Sequence, residues 1–425
     1  MEVEKLLSDL IKIQSVNPPG GEMEVANYLK RLFDEYHIPN EIIADSSGRG
    51  NFIASIGEGK KSMLFLSHVD VVPVSAGWDF APFAGEIKDG FIYGRGALDC
   101  KGLTAAEACA AIQLAQSGKL RGRLIFAATA DEEAGGAHGV EYIVNNFKDK
   151  LMADFCVNEG GAAPLKMGNK VCHFIQAGEK GIAWWHMKTK GTSAHGSLPW
   201  LGDNAVVKMS RIITRLADYH PKVILIPEVK QLIQQIAGLK GVDISVTKAN
   251  LPQIIPLLGD RIFSVYLTAC TRMSVSPNTV HGGLKTNIVP DACEADLDTR
   301  LLPGQDKEYV LKEFSKIFGE TGVECTQYFK PTFSTSNSPY YRLMADTLKD
   351  FVGDSPVLPC ISTGASDSRF LREAGMPCYG INMMTLNIDP AMNESVHGKN
   401  EKVDTLSLKV KTDFLVRLAE KYLGS

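Results

Sequence analysis

The first 36 residues carry apolar positions at helical spacing twice. Leu6, Leu7, Leu10 and Ile11 form one set, and Val25, Tyr28, Leu29, Leu32 and Phe33 the other. The breaker run Asn17-Pro18-Pro19-Gly20-Gly21 stands between them, so two helices and a loop are predicted. Short apolar runs follow at 51–56, 63–67, 124–130 and 154–158, separated by glycine-rich connections and an Ala/Leu-rich helical stretch near 102–117. This alternation predicts an α/β domain with a mainly parallel sheet flanked by helices.

Near Gly181 the pattern changes. Strands are predicted at 181–189, 284–289, 293–300 and 323–330, with helices at 204–218 and 307–319. Val206, Met209, Ile213 and Leu216 share a face of the first helix, and Val310, Leu311, Phe314 and Phe318 a face of the second. Apart from an insertion at about 220–280, in which Val229 to Leu239 reads as helix, the order is β-α-β-β-α-β. That is the α+β, ferredoxin-like split βαβ arrangement. From about 335 the α/β character returns, with a helix near 340–352, a strand at 378–384 and a closing helix at 407–423. The expected organisation is a catalytic domain (1–180 and 333–425) interrupted by a smaller domain (181–332).

Composition narrows the field. The 425 residues are 44% hydrophobic and 22% charged, the balance of a folded globular chain. A net charge of -4 without like-charge blocks argues against nucleic acid or a membrane surface as partner. No apolar run approaches the ~18 residues of a membrane span. The opening Met1-Glu2-Val3-Glu4-Lys5 lacks the basic start and apolar run of a secretory signal, so a cytoplasmic protein is expected. Nine cysteines without a C-x-x-C pair make a disulfide framework or a thiolate zinc site improbable.

The chemistry lies where polar residues end apolar runs. The run 63–67 leads into His68-Val69-Asp70, the run 124–130 into Asp131-Glu132-Glu133, and the run 154–158 into Glu159. Open α/β sheets gather ligands at the C-terminal edge of their strands, so these groups converge there. Asp99 and His397 are further candidates, in loops. Two imidazoles and several carboxylates suit a hydrolytic Zn²⁺ pair, with Co²⁺ or Mn²⁺ as substitutes. Asp70, two residues beyond His68, faces the same side of an extended strand and can accept the second imidazole N–H. Of the adjacent Glu132 and Glu133, one can bind metal while the other serves as general base. Each residue alone has a plainer reading: a buried hydrogen-bonded pair, a solvated turn, a helix N-cap, a surface loop. Their common placement at strand ends favours the metal site.

The segments SHVDVVP (67–73), YGRGALDCKG (93–102), ATADEEAGG (128–136), NEGG (158–161), GTSAHGSLP (191–199) and ESVHGKNE (394–401) resemble the metallopeptidase family of acetylornithine deacetylase, succinyl-diaminopimelate desuccinylase, aminoacylase and glutamate carboxypeptidase. The likeness covers nearly the whole chain except the stretch near 220–280. It implies that His68 and Glu159 bind one zinc, Glu133 and His397 the other, and Asp99 bridges them, followed by a cis peptide. It also implies that Glu132 is the general base and that the smaller domain is a lid and dimerisation domain. His195 would reach the partner subunit's site to stabilise an oxyanion, while Arg300 and Asn287 would hold a substrate carboxylate. Gly364, in Thr363-Gly364-Ala365-Ser366-Asp367, would lie in a substrate-contacting loop. The plainer readings are a turn histidine, a surface ion pair for Arg300 beside Glu294, Asp296 and Asp298, and an ordinary turn at Gly364.

A dinucleotide loop at Gly94-x-Gly96 is disfavoured, because Asp99 stands where the third glycine belongs. A serine hydrolase lacks its G-x-S-x-G. The remaining alternative is a catalytically idle relative acting as a binding or scaffold protein. The reading taken forward is a homodimeric two-zinc hydrolase. It cleaves an amide bond next to a free carboxylate, in an N-acyl-amino acid (deacylase) or a short peptide (carboxypeptidase or dipeptidase).

Overall fold

In the computed structural model, which describes residues 1–168, 170–319, 322–382, 392 and 395–424, the N-terminal apolar runs lie side by side. Arg123–Thr129, Ser62–His68 and Phe155–Asn158 are neighbouring parallel strands, with Cys378–Ile381 parallel to the last. They are buried along nearly their whole length. A strand covered on both faces has no solvent side to mark with polar residues, so these segments read as unbroken apolar runs. Antiparallel strands flank this parallel centre: Gly50–Ile56 and then Asn40–Ala44 on one side, Lys170–Glu179 on the other. Of the strand expected at 378–384, Cys378–Ile381 is observed, while 383 and 384, like Glu394 of the 394–401 segment, lie outside the described residues.

One face of the sheet packs Leu64, Leu66, Ile125 and Ala127 against Val140, Ile143 and Leu371. On the other, Phe33 of the helix Glu22–Glu35 stands 5.0 Å from Phe52 and 5.6 Å from Phe126. Each such buried phenylalanine contributes roughly 1.5–3 kcal/mol. The helix Lys101–Ser117 is buried almost all round, packed among the sheet and the helices Val3–Lys12 and Thr405–Leu423. Its small residues permit that close approach and leave it no polar face.

The chain divides into two units, 1–177 with 334–360 and 366–425, and 178–333 with 361–365. The second unit is built on a four-stranded antiparallel sheet, in the order Ser274–Gly282, Ala292–Leu301, Gly181–Lys190, Val323–Phe329. Helices Ala205–Ala217 and Lys307–Phe318 pack Met209, Ile212, Leu216, Val310 and Phe314 against Ala183, Trp185, Met187, Ala295 and Leu297. This is the split βαβ order expected, with one strand displaced. The sheet strand lies at Ser274–Gly282, not at 284–289, where Ile288–Val289 alone is extended, in a ribbon with Ala194–His195. The true strand is an edge strand whose register shifts between Pro277 and Thr279. Edge position and bulge are where a sheet tolerates proline, which disguised the segment. The insertion is helical, with Pro227–Leu239, Leu251–Leu258 and Arg261–Ala269.

Candidate metal centre

The three central parallel strands deliver His68, Asp131-Glu132-Glu133 and Glu159 to one edge of the sheet. Beyond Thr129 the chain turns through Asp131 at φ 72° into a short 3-10 turn, Glu132–Ala134. Beyond Asn158, Gly160 takes φ 113°, and a Cβ there would lie 2.5 Å from Gln176 Oε1, so the turn that presents Glu159 requires glycine. Asp99 ends the loop before the helix Lys101–Ser117, and the Asp99–Cys100 peptide is cis. His397 sits in a turn at φ 56°.

Asp99 stands between two histidines. One carboxylate oxygen is 3.1 Å from His68 Nε2 and the other 3.0 Å from His397 Nε2. His68 Nε2 is also 3.8 Å from Glu159 Oε1, and His397 Nε2 is 3.2 Å from Glu133 Oε1. Two seats result, each with an imidazole and a carboxylate of its own, sharing Asp99. Ligand atoms of His68, Asp99 and Glu133 fall within 4.8 Å of one another. His68, Cys100 and Glu159 meet the same limit, but the Cys100 thiol points its Sγ at the carbonyl oxygen of His68, 3.5 Å away, and burial pushes its pKa up. With that thiol engaged at the His68 carbonyl, the nitrogen and oxygen donors form the candidate set.

Asp70 differs from expectation in its reach. His68 Nδ1 donates to the main-chain oxygen of Asp70 at 3.0 Å, with the carboxylate at 3.4 Å. The carboxylate is engaged elsewhere, accepting the backbone N–H groups of Glu132 and Glu133 at 3.1 Å each and Asn17 Nδ2 at 2.8 Å. Burial alone would raise its pKa, but hydrogen bonds from His68, Asn17 and the Glu133 amide hold it below the usual carboxylate range. Asn17 also reaches Asp131 at 3.2 Å, and Asp131 accepts from Arg49 Nη1 at 2.8 Å. Arg49 in turn pairs with the buried Glu22. Asn17, Arg49 and Asp131 thus support the glutamate turn; the sequence placed Asp131 at this edge but gave no sign of Asn17 or Arg49.

The acids at this edge are crowded. Burial, together with the charges of Glu159, Asp367 and Glu133, pushes Glu132 well above the ordinary glutamate range. Burial, then Asp99, Glu133 and Asp367, takes Glu159 to about 8. Hydrogen bonds to Asp99 and Glu133 raise His397 to about 10. A site that draws protons this strongly holds more negative charge than its own cations neutralise. With their protons displaced, the two imidazoles and the three carboxylates would fit two divalent cations of borderline hardness. Beside Asp99 and Glu159 lies a cavity of about 180 Å³, lined among others by Gly160, Gly161, Asn382 and Lys411.

The remaining candidates lie in the second unit. His195 is exposed, and its Nδ1 accepts the Ser197 N–H at 3.2 Å and faces Ser197 Oγ at 2.8 Å. That assignment places the ring proton on Nε2, where it can serve as a donor. Asn287 lies beside it, since His195 pairs with Ile288 and the Gly196 N–H donates to the Asn287 carbonyl at 2.8 Å. Arg300 is on the four-stranded sheet, where Nε and Nη2 form a double hydrogen bond with Asp298 at 2.8 and 3.0 Å. One edge of its guanidinium fork is therefore occupied, and Nη1 remains on the other. Gly364 donates its N–H to Ser362 Oγ at 3.0 Å in a turn.

The sequence model of Peptidase family M20/M25/M40 matches residues 64–421. A probable succinyl-diaminopimelate desuccinylase of Staphylococcus aureus is 28% identical over 372 residues, covering 86% of this chain and 84% of that protein. Among solved structures, an M20 family metallo-carboxypeptidase from Sulfolobus solfataricus shares the fold with a TM-score of 0.76, at 23% identity and 99% coverage of both chains. A dinuclear metal-binding peptidase of the same family from Bacillus subtilis shares it with a TM-score of 0.64, at 16% identity, covering 99% of this chain and 97% of its own.

Proposed function

The chain belongs to Peptidase family M20/M25/M40 and is a metal-dependent hydrolase, and from that premise we propose that it uses two divalent cations, zinc by preference. We propose further that it cleaves an amide bond adjacent to a free carboxylate, in an N-acyl-amino acid or at the C-terminus of a short peptide. The observation that carries this reading is the placement of Asp99, with one oxygen toward His68 and the other toward His397.

His68 and Glu159 would hold one ion, Glu133 and His397 the other, and Asp99 both. When bound, such a pair supplies Lewis acidity, which polarises a carbonyl and acidifies a water. The protein's own groups do the rest. Glu132 stands half-buried at that edge without being needed as a ligand, and its raised pKa suits a group that takes a proton from water and returns it to the leaving amine. Asp70 fixes the backbone of Glu132 and Glu133, so base and ligand keep their spacing. His195 offers Nε2–H to a developing oxyanion. Arg300, with Asn287, would receive the substrate's carboxylate on its free edge.

A homodimer formed through the second unit completes the reading. Its support is apolar surface beside the His195 ribbon: Leu198, Trp200, Leu201 and Leu284 are 51%, 88%, 76% and 95% exposed. The function is tested with a panel of acetyl-, succinyl- and benzoyl-amino acids and dipeptides, each with a free and an amidated C-terminus, on zinc-loaded protein. Free-carboxylate substrates should be cleaved with kcat/KM roughly 10- to 150-fold above their amides, the worth of hydrogen bonds to a charged group. Equal cleavage of both series would remove the carboxylate requirement.

A further inference from the structure

The loops that carry Asp99 and His397 are remote in sequence but leave the same edge of one small sheet. Phe91–Tyr93 pairs antiparallel with Lys402–Asp404, Tyr93 opposite Lys402, so residues 94–100 depart where residues 395–401 arrive. Between the loops lie Arg95 and Glu401, 1% and 0% exposed, which the hydrolytic reading leaves unused. Arg95 Nη1 donates to Glu401 Oε2 at 2.7 Å, and Nη2 donates to the carbonyl of Gly398, next to His397, at 2.8 Å. The Glu401 carboxylate also accepts three backbone N–H groups: Gly96 on Oε2 at 3.0 Å, Leu98 on Oε1 at 2.8 Å and Asp99 on Oε1 at 3.0 Å. Gly96 allows this convergence at φ 86°, where a Cβ would lie 2.8 Å from Val71 Cγ1.

Four donors saturate one buried carboxylate, and both loops are tied to it. With its N–H turned to Glu401, Asp99 directs its carboxylate to His68 and His397. The two seats do not depend equally on this clamp. His68 ends a central strand, and its Nδ1 is fixed by the Asp70 carbonyl. His397 lies half-exposed in a turn, and the carbonyl of the residue beside it is held by Arg95.

We propose that Arg95 and Glu401 are positioning residues that set the separation of Asp99 and His397, and so govern occupancy of the seat formed by Asp99, Glu133 and His397. The inference rests on the two-cation reading and deepens it. A role in folding alone would leave the two seats affected alike, whereas the clamp separates them.

The test is a Co²⁺ titration of metal-free protein, followed by visible absorption and calorimetry, on wild type, Glu401→Gln and Arg95→Lys. Glutamine keeps the shape but turns an NH₂ toward donors. Lysine keeps the charge but loses the fork that spans Glu401 and Gly398. Wild type should take up two ions. In both variants the first ion should bind as in wild type and the second roughly 10- to 100-fold more weakly, leaving the one-ion spectrum of His397→Ala. Wild-type affinity for both ions in the variants, or equal weakening of both, overturns the clamp. If Glu401→Gln does not fold, Arg95→Lys decides by the same criteria. A wild type that takes fewer than two ions contradicts the two-cation reading itself, and the inference falls with it.

Discussion

Asp70 holds three donors besides the neighbouring imidazole, and two of them are the amides of the putting-forward turn that presents Glu132 and Glu133. Asp70→Asn would set an NH₂ against those N–H groups, so metal affinity should fall roughly 10- to 100-fold in equilibrium dialysis. Glu132→Gln should leave metal content unchanged while kcat drops roughly 10²- to 10⁴-fold; loss of metal would make Glu132 a ligand instead. Lys180 in the second unit gives a pH dependence. It is buried with Nζ on the carbonyls of Ala269 and Arg272, and burial lowers its pKa from 10.5 to about 8. Between those values the unfolded chain binds more protons than the folded one, so stability rises with pH across that window. The urea midpoint of wild type should therefore climb from pH 8 to 10.5 more than that of Lys180→Met; parallel curves would count against it. Residues such as His68, Glu133 and Glu159 were legible because a charged group ending an apolar run is conspicuous. Asn17 and Arg49 were not, because an asparagine before two prolines and an arginine between glycines are also what any turn contains.

At the level of elements, the central strands and the long helices followed from periodicity, since burial on one stripe or on both faces dictates the pattern. Lys170–Glu179 and Ser274–Gly282 escaped because their residues mix polar and apolar without a clean period, one carrying buried His173 and Gln176, the other Pro277 at a bulge. The second unit's core gives an element-scale expectation. Phe314, 1% exposed on the helix Lys307–Phe318, has its ring 5.5 Å from Trp185 of the facing strand. Phe314→Ala should cost roughly 3–5 kcal/mol in urea denaturation. A loss below about 1 kcal/mol would mean that this helix does not anchor the sheet.

For the whole molecule, the sequence order already implied one α/β unit interrupted by an α+β unit, because the change from long apolar runs to alternating strands marks where two-sided burial gives way to one-sided burial. We propose the second unit as a dimer interface from the exposed apolar groups beside His195. Mixing Glu132→Gln with His195→Ala subunits under conditions of exchange should restore part of the activity if His195 serves the partner's site; no recovery would confine it to its own chain. All of this depends on five side chains caging two cations. The most direct test is anomalous diffraction from zinc-loaded crystals. Two peaks about 3.5–4 Å apart are expected, one among His68, Asp99 and Glu159, the other among Asp99, Glu133 and His397. A single peak bound through Cys100, or none at this edge, would contradict it.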